Sequence, residues 1–160
     1  KLYNVSNKVT TILSDGINDI DDSIKQVAIC GMGGNNIIDI LDISKLKNIE
    51  YFILEPNNNA NLLRRYLSKI QFKIIEEYLV EENDYIYEII KAQKGIEKLN
   101  EKQMYFGPKI LAKKDEIFER KYQKRKLFLL DVLKKIPNTD SNKNKISSLL
   151  DEIKMIEEEL

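Results

Sequence analysis

The stretch VAICGMGGNNIIDIL, residues 27–41, decides how this chain is read. With Gln26 before it, Val27–Cys30 is an apolar run suited to a buried strand. Gly31, Gly33 and Gly34 then place three glycines within four positions, and Asn36–Leu41 resumes with apolar residues at helical spacing. Strand, bare backbone and helix in that order predict one unit of a parallel α/β sheet. Glycine lets the chain take φ > 0 and lets a ligand approach the main chain closely. The stretch is not GxGxxG and no P-loop lysine follows, so a phosphate cradle is poorly supported. A tight strand-to-helix turn packed against a neighbour accounts for the glycines equally well.

The flanks extend the pattern. Val9–Leu13 is short and β-branched and is predicted as a strand, with Ser14-Asp15-Gly16 as the turn after it. Tyr51–Leu54 is predicted as a further strand, stopped by Pro56. Asn57 or Asn58 is the predicted cap of a helix with Leu62, Leu63, Tyr66, Leu67 and Ile70 on one face. Phe72–Glu81 and Tyr85–Gln93 flank a polar turn at Glu82, Asn83 and Asp84, which predicts an antiparallel hairpin and hence a mixed sheet. Ligands of such sheets bind at the carboxyl ends of the parallel strands, where SDG, GMGG and EPN all fall.

From Tyr105 the chain reads as helical. In FGP, Pro108 suits a first helical turn. Phe118, Tyr122, Arg125, Leu129, Val132 and Ile136 form one seam, and Ile146, Leu149, Ile153, Ile156 and Leu160 form another. The polar turn Pro137–Asn142 joins them, which predicts an antiparallel helical hairpin with coiled-coil packing. Residues 1–104 are thus expected to form the sheet domain and 105–160 a helical extension.

Composition narrows the chemistry. Among 160 residues, 26 are basic and 26 acidic, so any electrostatic signal is local. There is no histidine, which removes the commonest general base and metal ligand. A single cysteine, Cys30, excludes an internal disulfide and suits a reducing compartment; its type suggests a small buried apolar residue. No apolar run approaches 18 residues and no signal-peptide core is present, so a cytoplasmic location without membrane or metal is expected. The chain opens on Lys1 with a polar linker, and is expected to be incomplete at its N-terminus.

Several residues offer chemistry. Asp15 suits a hydrogen bond from a nucleobase or sugar, or simply a turn. Asn57 can present donor and acceptor to a base edge or cap a helix, and Glu55 can hold an amino group or counter a cation. Tyr85 and Tyr87 are expected in the hairpin's packing. Lys113–Lys135 carries nine basic residues against four acidic ones, a local excess of five. Lys113, Lys114, Arg120, Lys121, Lys124 and Arg125 form a stripe suited to an RNA backbone. The same stripe suits pairing with the acidic residues between Asp151 and Glu159.

Taken in order, SDG, ICGMGG, FILEPN with LLRRYL, EEYLVEENDYIYEII, YFGPKIL and the basic helical tail resemble the bacterial tRNA (adenine-N1)-methyltransferases that act on position 22. The resemblance runs from about Val9 into the tail. It implies a partial Rossmann-like class I methyltransferase sheet with a helical extension that helps hold tRNA, and S-adenosyl-L-methionine as cofactor. By that resemblance Asp15, Gly16, Cys30 and Gly31 would bind the cofactor. Gly31, Met32, Gly33, Gly34, Pro56 and Asn57 would form the catalytic loops. Two departures stand out. The family usually carries Gln where this chain has Glu55. Its first cofactor motif and the acidic ribose-binding end of its second strand are absent, so the chain alone is expected to bind the cofactor weakly. The residues by themselves also allow a non-catalytic RNA-binding remnant or a coiled-coil interaction module.

Overall fold

The computed structural model describes residues 8–41 and 43–160, with side chains left aside at 43–45. The predicted polar linker at 1–7 lies outside the described residues. Four strands form one sheet in the order β1-β2-β4-β3: β1 Gln26–Met32, β2 Tyr51–Pro56, β3 Phe72–Glu82 and β4 Tyr85–Lys94. β1 and β2 are parallel, while β4 runs antiparallel to both its neighbours. The predicted mixed sheet is therefore the observed one. The hairpin turns on Asn83 and Asp84, at φ 49° and 65°. Two successive left-handed residues match the right-handed strand twist, and Asn and Asp tolerate that region.

Helices α1 Gly34–Ile40 and α2 Ala60–Lys69 cover one face of the sheet. Ile37, Leu41, Leu63 and Leu67 pack on Phe52, Leu54, Ile90 and Ala92 in one buried cluster. Across the sheet, Ala28, Cys30 and Ile53 are exposed. Cys30 is therefore not the buried apolar residue expected of it. Its side chain alternates onto the face that α1 and α2 leave bare.

Other local expectations are corrected. Val9–Leu13 is not a strand; Val9, Ile12 and Leu13 are exposed, and no strand pairs with the segment among the described residues. Backbone groups of a lone strand gain nothing over water without a neighbour. Asn59, not Asn57 or Asn58, caps α2, in the left-handed region and without a side-chain bond. Leu62 and Tyr85 are exposed, the latter because it sits at the hairpin tip.

The chain continues through α3 Glu101–Phe106, α4 Pro108–Lys113, α5 Glu116–Lys135 and α6 Lys143–Glu157. Asn100 and Gln103 form a reciprocal capping box at α3, Pro108 opens α4, and Asp115 caps α5. α5 and α6 form the predicted antiparallel hairpin. Lys114 before α5 meets Glu159 after α6 at 2.7 Å, and Arg125 meets Glu152 at 2.8 Å. A second buried cluster joins Phe106, Phe118, Tyr122, Leu129, Ile153 and Ile156 to Leu79 of β3. The hairpin β3–β4 thus serves two cores. A bulge between Ile74 and Glu76 makes this possible. It shifts the alternation so that Phe72 and Ile74 face the first core, then Glu77 and Leu79 turn toward the second.

Candidate functional site

The glycine loop and the loop after β2 are laced together. In the parallel register Cys30 lies opposite Glu55, and Met32 opposite Pro56, so Gly31 is an extra residue on β1. Its φ is +75°, and the bulge turns its N–H onto Glu55 Oε2 at 2.6 Å. Two further bonds cross between the loops. Asn57 N–H donates to the Met32 carbonyl at 2.8 Å, and Gly34 N–H to the Asn58 carbonyl at 2.9 Å.

The three glycines have different reasons. A Cβ at Gly34 would stand 2.6 Å from the Asn59 carbonyl oxygen and 2.8 Å from that of Asn58. Gly34 is required by the neighbouring loop's backbone, as a packed turn would demand. A Cβ at Gly33 would meet only the Asn58 amide side chain, at 3.0 Å. At Gly31 it would meet nothing within 4 Å. Gly31 is exposed and left-handed, with its backbone bare toward open space. The packed-turn reading holds at Gly34, while Gly31 leaves its main chain open.

Glu55 is half-buried at the end of β2. Its Oε1 is buried and has no hydrogen-bond partner among the described residues. Asp15 is an exposed turn residue whose carbonyl accepts from Asn18 N–H at 3.4 Å. A Cβ at Gly16 would stand 3.2 Å from Ile40, so this turn lies at the end of α1. Gly34 starts the same helix, about 9 Å away at 1.5 Å per residue. Asp15 and Gly16 are thus separated from the glycine loop by the length of α1.

Beyond the loop after β2 opens a polar cleft of about 480 Å³. Asn57, Asn58 and Asn59 form one wall, and Tyr105, Lys121 and Arg125 another. Asn57 and Asn58 therefore touch the glycine loop on one side and line the cleft on the other.

A buried ion cluster fixes the two walls. Arg64 of α2 is fully buried within the helix's apolar stripe. It donates to Glu77 Oε1 at 2.7 Å, to Glu88 Oε2 at 2.5 Å, and to the carbonyls of Met104 and Tyr105 at 3.2 Å. Lys121 pairs with the other oxygen of Glu88. Burial raises the Glu77 carboxyl above its ordinary range despite Arg64 and the Lys109 N–H. Burial acts on Glu88 too, but Arg64 and Lys121 together hold it below that range. Burial, with Glu88 nearby, pushes the Tyr122 phenol well up. Gly107, at φ +90°, passes so close that a Cβ would stand 2.7 Å from Arg64 Nη2 and from both Glu77 oxygens. That is the physical content of FGP: glycine at the cluster, proline to restart the helix.

Much of the basic stripe is engaged within the chain. Arg120 meets Glu81 at 2.6 Å, Lys126 meets Glu157 at 3.8 Å, and Lys113 lies 4.7 Å over the Tyr78 ring. With Lys114–Glu159 and Arg125–Glu152, this favours the alternative in which the stripe pairs with its neighbours. Lys124 is exposed and has no ion pair among the described residues. No helix is long and apolar enough to cross a membrane among the described residues.

Sequence reasoning did not place Arg64, Glu77, Glu88 or Asn58 at the site. Arg64 left a signal, since a charge at the centre of the Ala60, Leu63, Leu67 stripe demands a buried partner. Glu77 and Glu88 left none, because only the bulge and the hairpin bring them to it.

A family model described as tRNA (adenine(22)-N(1))-methyltransferase matches residues 1–158. The tRNA (adenine(22)-N(1))-methyltransferase of Bacillus subtilis is 29% identical over 143 residues, covering 82% of this chain and 60% of that protein. The chain thus spans between half and two thirds of the curated relatives it matches. A Streptococcus agalactiae protein of the NADB-Rossmann superfamily superposes with a TM-score of 0.92 at 34% identity, over 98% of this chain and 70% of its own. A Streptococcus pneumoniae protein solved in complex with S-adenosyl-L-methionine gives 0.86 at 30% identity, over 99% and 74%.

Proposed function

Because the chain belongs to the tRNA (adenine(22)-N(1))-methyltransferase family, we propose that it carries the methyl-transfer loops and the tRNA-holding arm of such an enzyme, acting in the cytoplasm. Residues 1–104 belong to the Rossmann-like catalytic domain in this reading, and 105–160 to the arm. The observation that carries it is Gly31: a left-handed residue at a parallel strand's carboxyl end, its main chain bare toward open space. A side chain there would occupy the volume a bound cofactor needs.

Bound S-adenosyl-L-methionine supplies a methyl group on a sulfonium sulfur, an electrophile that needs no metal. The cradle at Gly31 fits such a group, with Cys30 beside it. Adenine N1 has a lone pair at neutral pH, so the site requires alignment and exclusion of water rather than a strong base. That accords with a chain lacking histidine. N1 lies on the pairing edge, so the base must leave its stack to enter. Met32, Gly33, Gly34, Pro56 and Asn57 form the mouth it enters, and Asn57 has the donor and acceptor to orient it. The cleft beside Asn57 leads to α5, where Lys124, without an ion pair among the described residues, meets the RNA backbone. Lys113, Lys114, Arg120, Lys121 and Arg125 join it by exchanging intramolecular partners for phosphate.

The test uses the full-length protein, tRNA and S-adenosyl-L-methionine, with the product mapped by reverse-transcription arrest. Expected is one arrest site at adenine 22, lost in Gly31→Val while the far-UV spectrum is retained. tRNA binding without methyl incorporation would overturn the reading in favour of an RNA-binding remnant.

A further inference from the structure

We propose that Glu55 is a catalytic residue of this site. Its Oε1 accepts a hydrogen bond from the 6-amino group of the target adenine, and its charge stabilises the cation that forms on the base. The proposal rests on the methyl-transfer reading above and adds a residue to it.

The two carboxylate oxygens have different surroundings. Oε2 accepts the Gly31 N–H at 2.6 Å, which fixes the side chain against the glycine loop. Oε1 is buried and lacks a donor among the described residues. A buried acceptor left unpaired costs free energy and calls for a missing partner. The partner must be a donor, because a carboxylate offers only lone pairs. No described residue supplies it, and the loop that Oε2 holds opens to space at Gly31.

The reaction supplies such a donor. The N1 lone pair forms the new bond to carbon while the carbon–sulfur bond breaks, its electron pair leaving with sulfur. A neutral base becomes a cation, spread over N1, C6 and the 6-amino nitrogen. The amino protons grow more positive as the bond forms. A carboxylate on that amino group therefore holds the transition state more tightly than the ground state. No proton needs to be removed. The 6-amino group neighbours N1 on the same edge, so a residue gripping it stands beside the methyl's path.

The experiment combines a residue change with a substrate change in the full-length protein. Wild type, Glu55→Gln and Glu55→Leu are compared in single turnovers with saturating S-adenosyl-L-methionine. The tRNA carries adenine, or purine lacking the 6-amino group, at the target position. With adenine, we expect Glu55→Gln to slow transfer about tenfold, as a charged acceptor becomes a neutral one, and Glu55→Leu about a hundredfold. With purine, the loss on Glu55→Leu should shrink to about tenfold, since the hydrogen-bonded amino group is gone and only the ring's charge remains. Binding of S-adenosylhomocysteine by calorimetry should stay within about twofold of wild type. Independent losses, with the two changes simply multiplying, would overturn the proposal. So would a fall in S-adenosylhomocysteine affinity parallel to the rate, because Glu55 would then serve the cofactor's ammonium. Absence of methylation by wild type overturns the parent reading as well, and is thereby distinguished.

Discussion

Replacing Gly34 by alanine gives the most direct test of how the glycine loop is built. Gly34 begins α1, and alanine is the better helix former by about 1 kcal/mol. On propensity alone Gly34→Ala stabilises. The structure reverses the sign. A Cβ would lie 2.6 Å and 2.8 Å from two backbone carbonyl oxygens, well inside ordinary contact. Both belong to the loop that precedes α2, so neither can rotate away as a side chain can. Relief requires the loops to part, which breaks the Gly34–Asn58 bond and strains the Asn57–Met32 bond beside it. Overpacking of this kind costs about 1–3 kcal/mol, and each backbone bond about 1 kcal/mol. The net expectation is a loss of about 2–4 kcal/mol in urea unfolding followed by far-UV circular dichroism. Gly33→Ala is the control: φ −66° and ψ 147° suit alanine, and only the Asn58 side chain must move. It should change stability by less than about 1 kcal/mol. If Gly34→Ala matched or exceeded wild type, the packing account of the loop would be wrong.

Three further outcomes follow from the ion cluster and the helical arm. Arg64→Met leaves Glu77 and Glu88 buried without their shared cation and should cost about 3–5 kcal/mol in the same unfolding experiment; a loss below about 1 kcal/mol would show that the cluster contributes little. Gly107→Ala combines a φ of +90° with a Cβ on the cluster, and a fall in stability of about 2–4 kcal/mol is expected in thermal unfolding. Acid should loosen the arm first. Hydrogen bonds from Lys102 and Lys114 hold Glu159 below the usual carboxylate range, and Arg64 with Lys121 does so for Glu88 against burial. A depressed carboxylate adds stability that is complete above its ordinary value near 4.5 and is lost as pH falls below it. Glu77, raised by burial, works in the opposite direction and softens the effect. Hydrogen exchange at α5 and α6 should accelerate below about pH 4.5 before exchange at β1 and β2 does; simultaneous opening would count against this.

What was legible in the sequence follows from the range of each interaction. Asn83-Asp84 announced its own turn, FGP its helix break, and the seams of α5 and α6 their pairing, because each pattern is completed within a few residues. Val9–Leu13 was misread because β-branched residues state a preference while a strand needs a neighbour, and neighbours are not local. Cys30 was misplaced because residue type does not tell which face of a sheet is covered. The basic stripe was visible, but its neutralisation depended on α6 returning antiparallel to present Glu152, Glu157 and Glu159. Glu55 was noted as an acidic residue at a strand end. Its half-satisfied carboxylate emerged only when the bulge turned Gly31 toward it.

The Arg64 cluster has a mechanical consequence. It fastens the first turns of α2 to the base of the arm through charges that neither water nor thermal motion readily parts. Arm and mouth therefore share one buried anchor. If RNA rests along α5, the span from that resting line to the glycine loop is fixed before any substrate arrives. Choice of a single nucleotide then becomes a question of reach, with the cluster setting the length of the ruler.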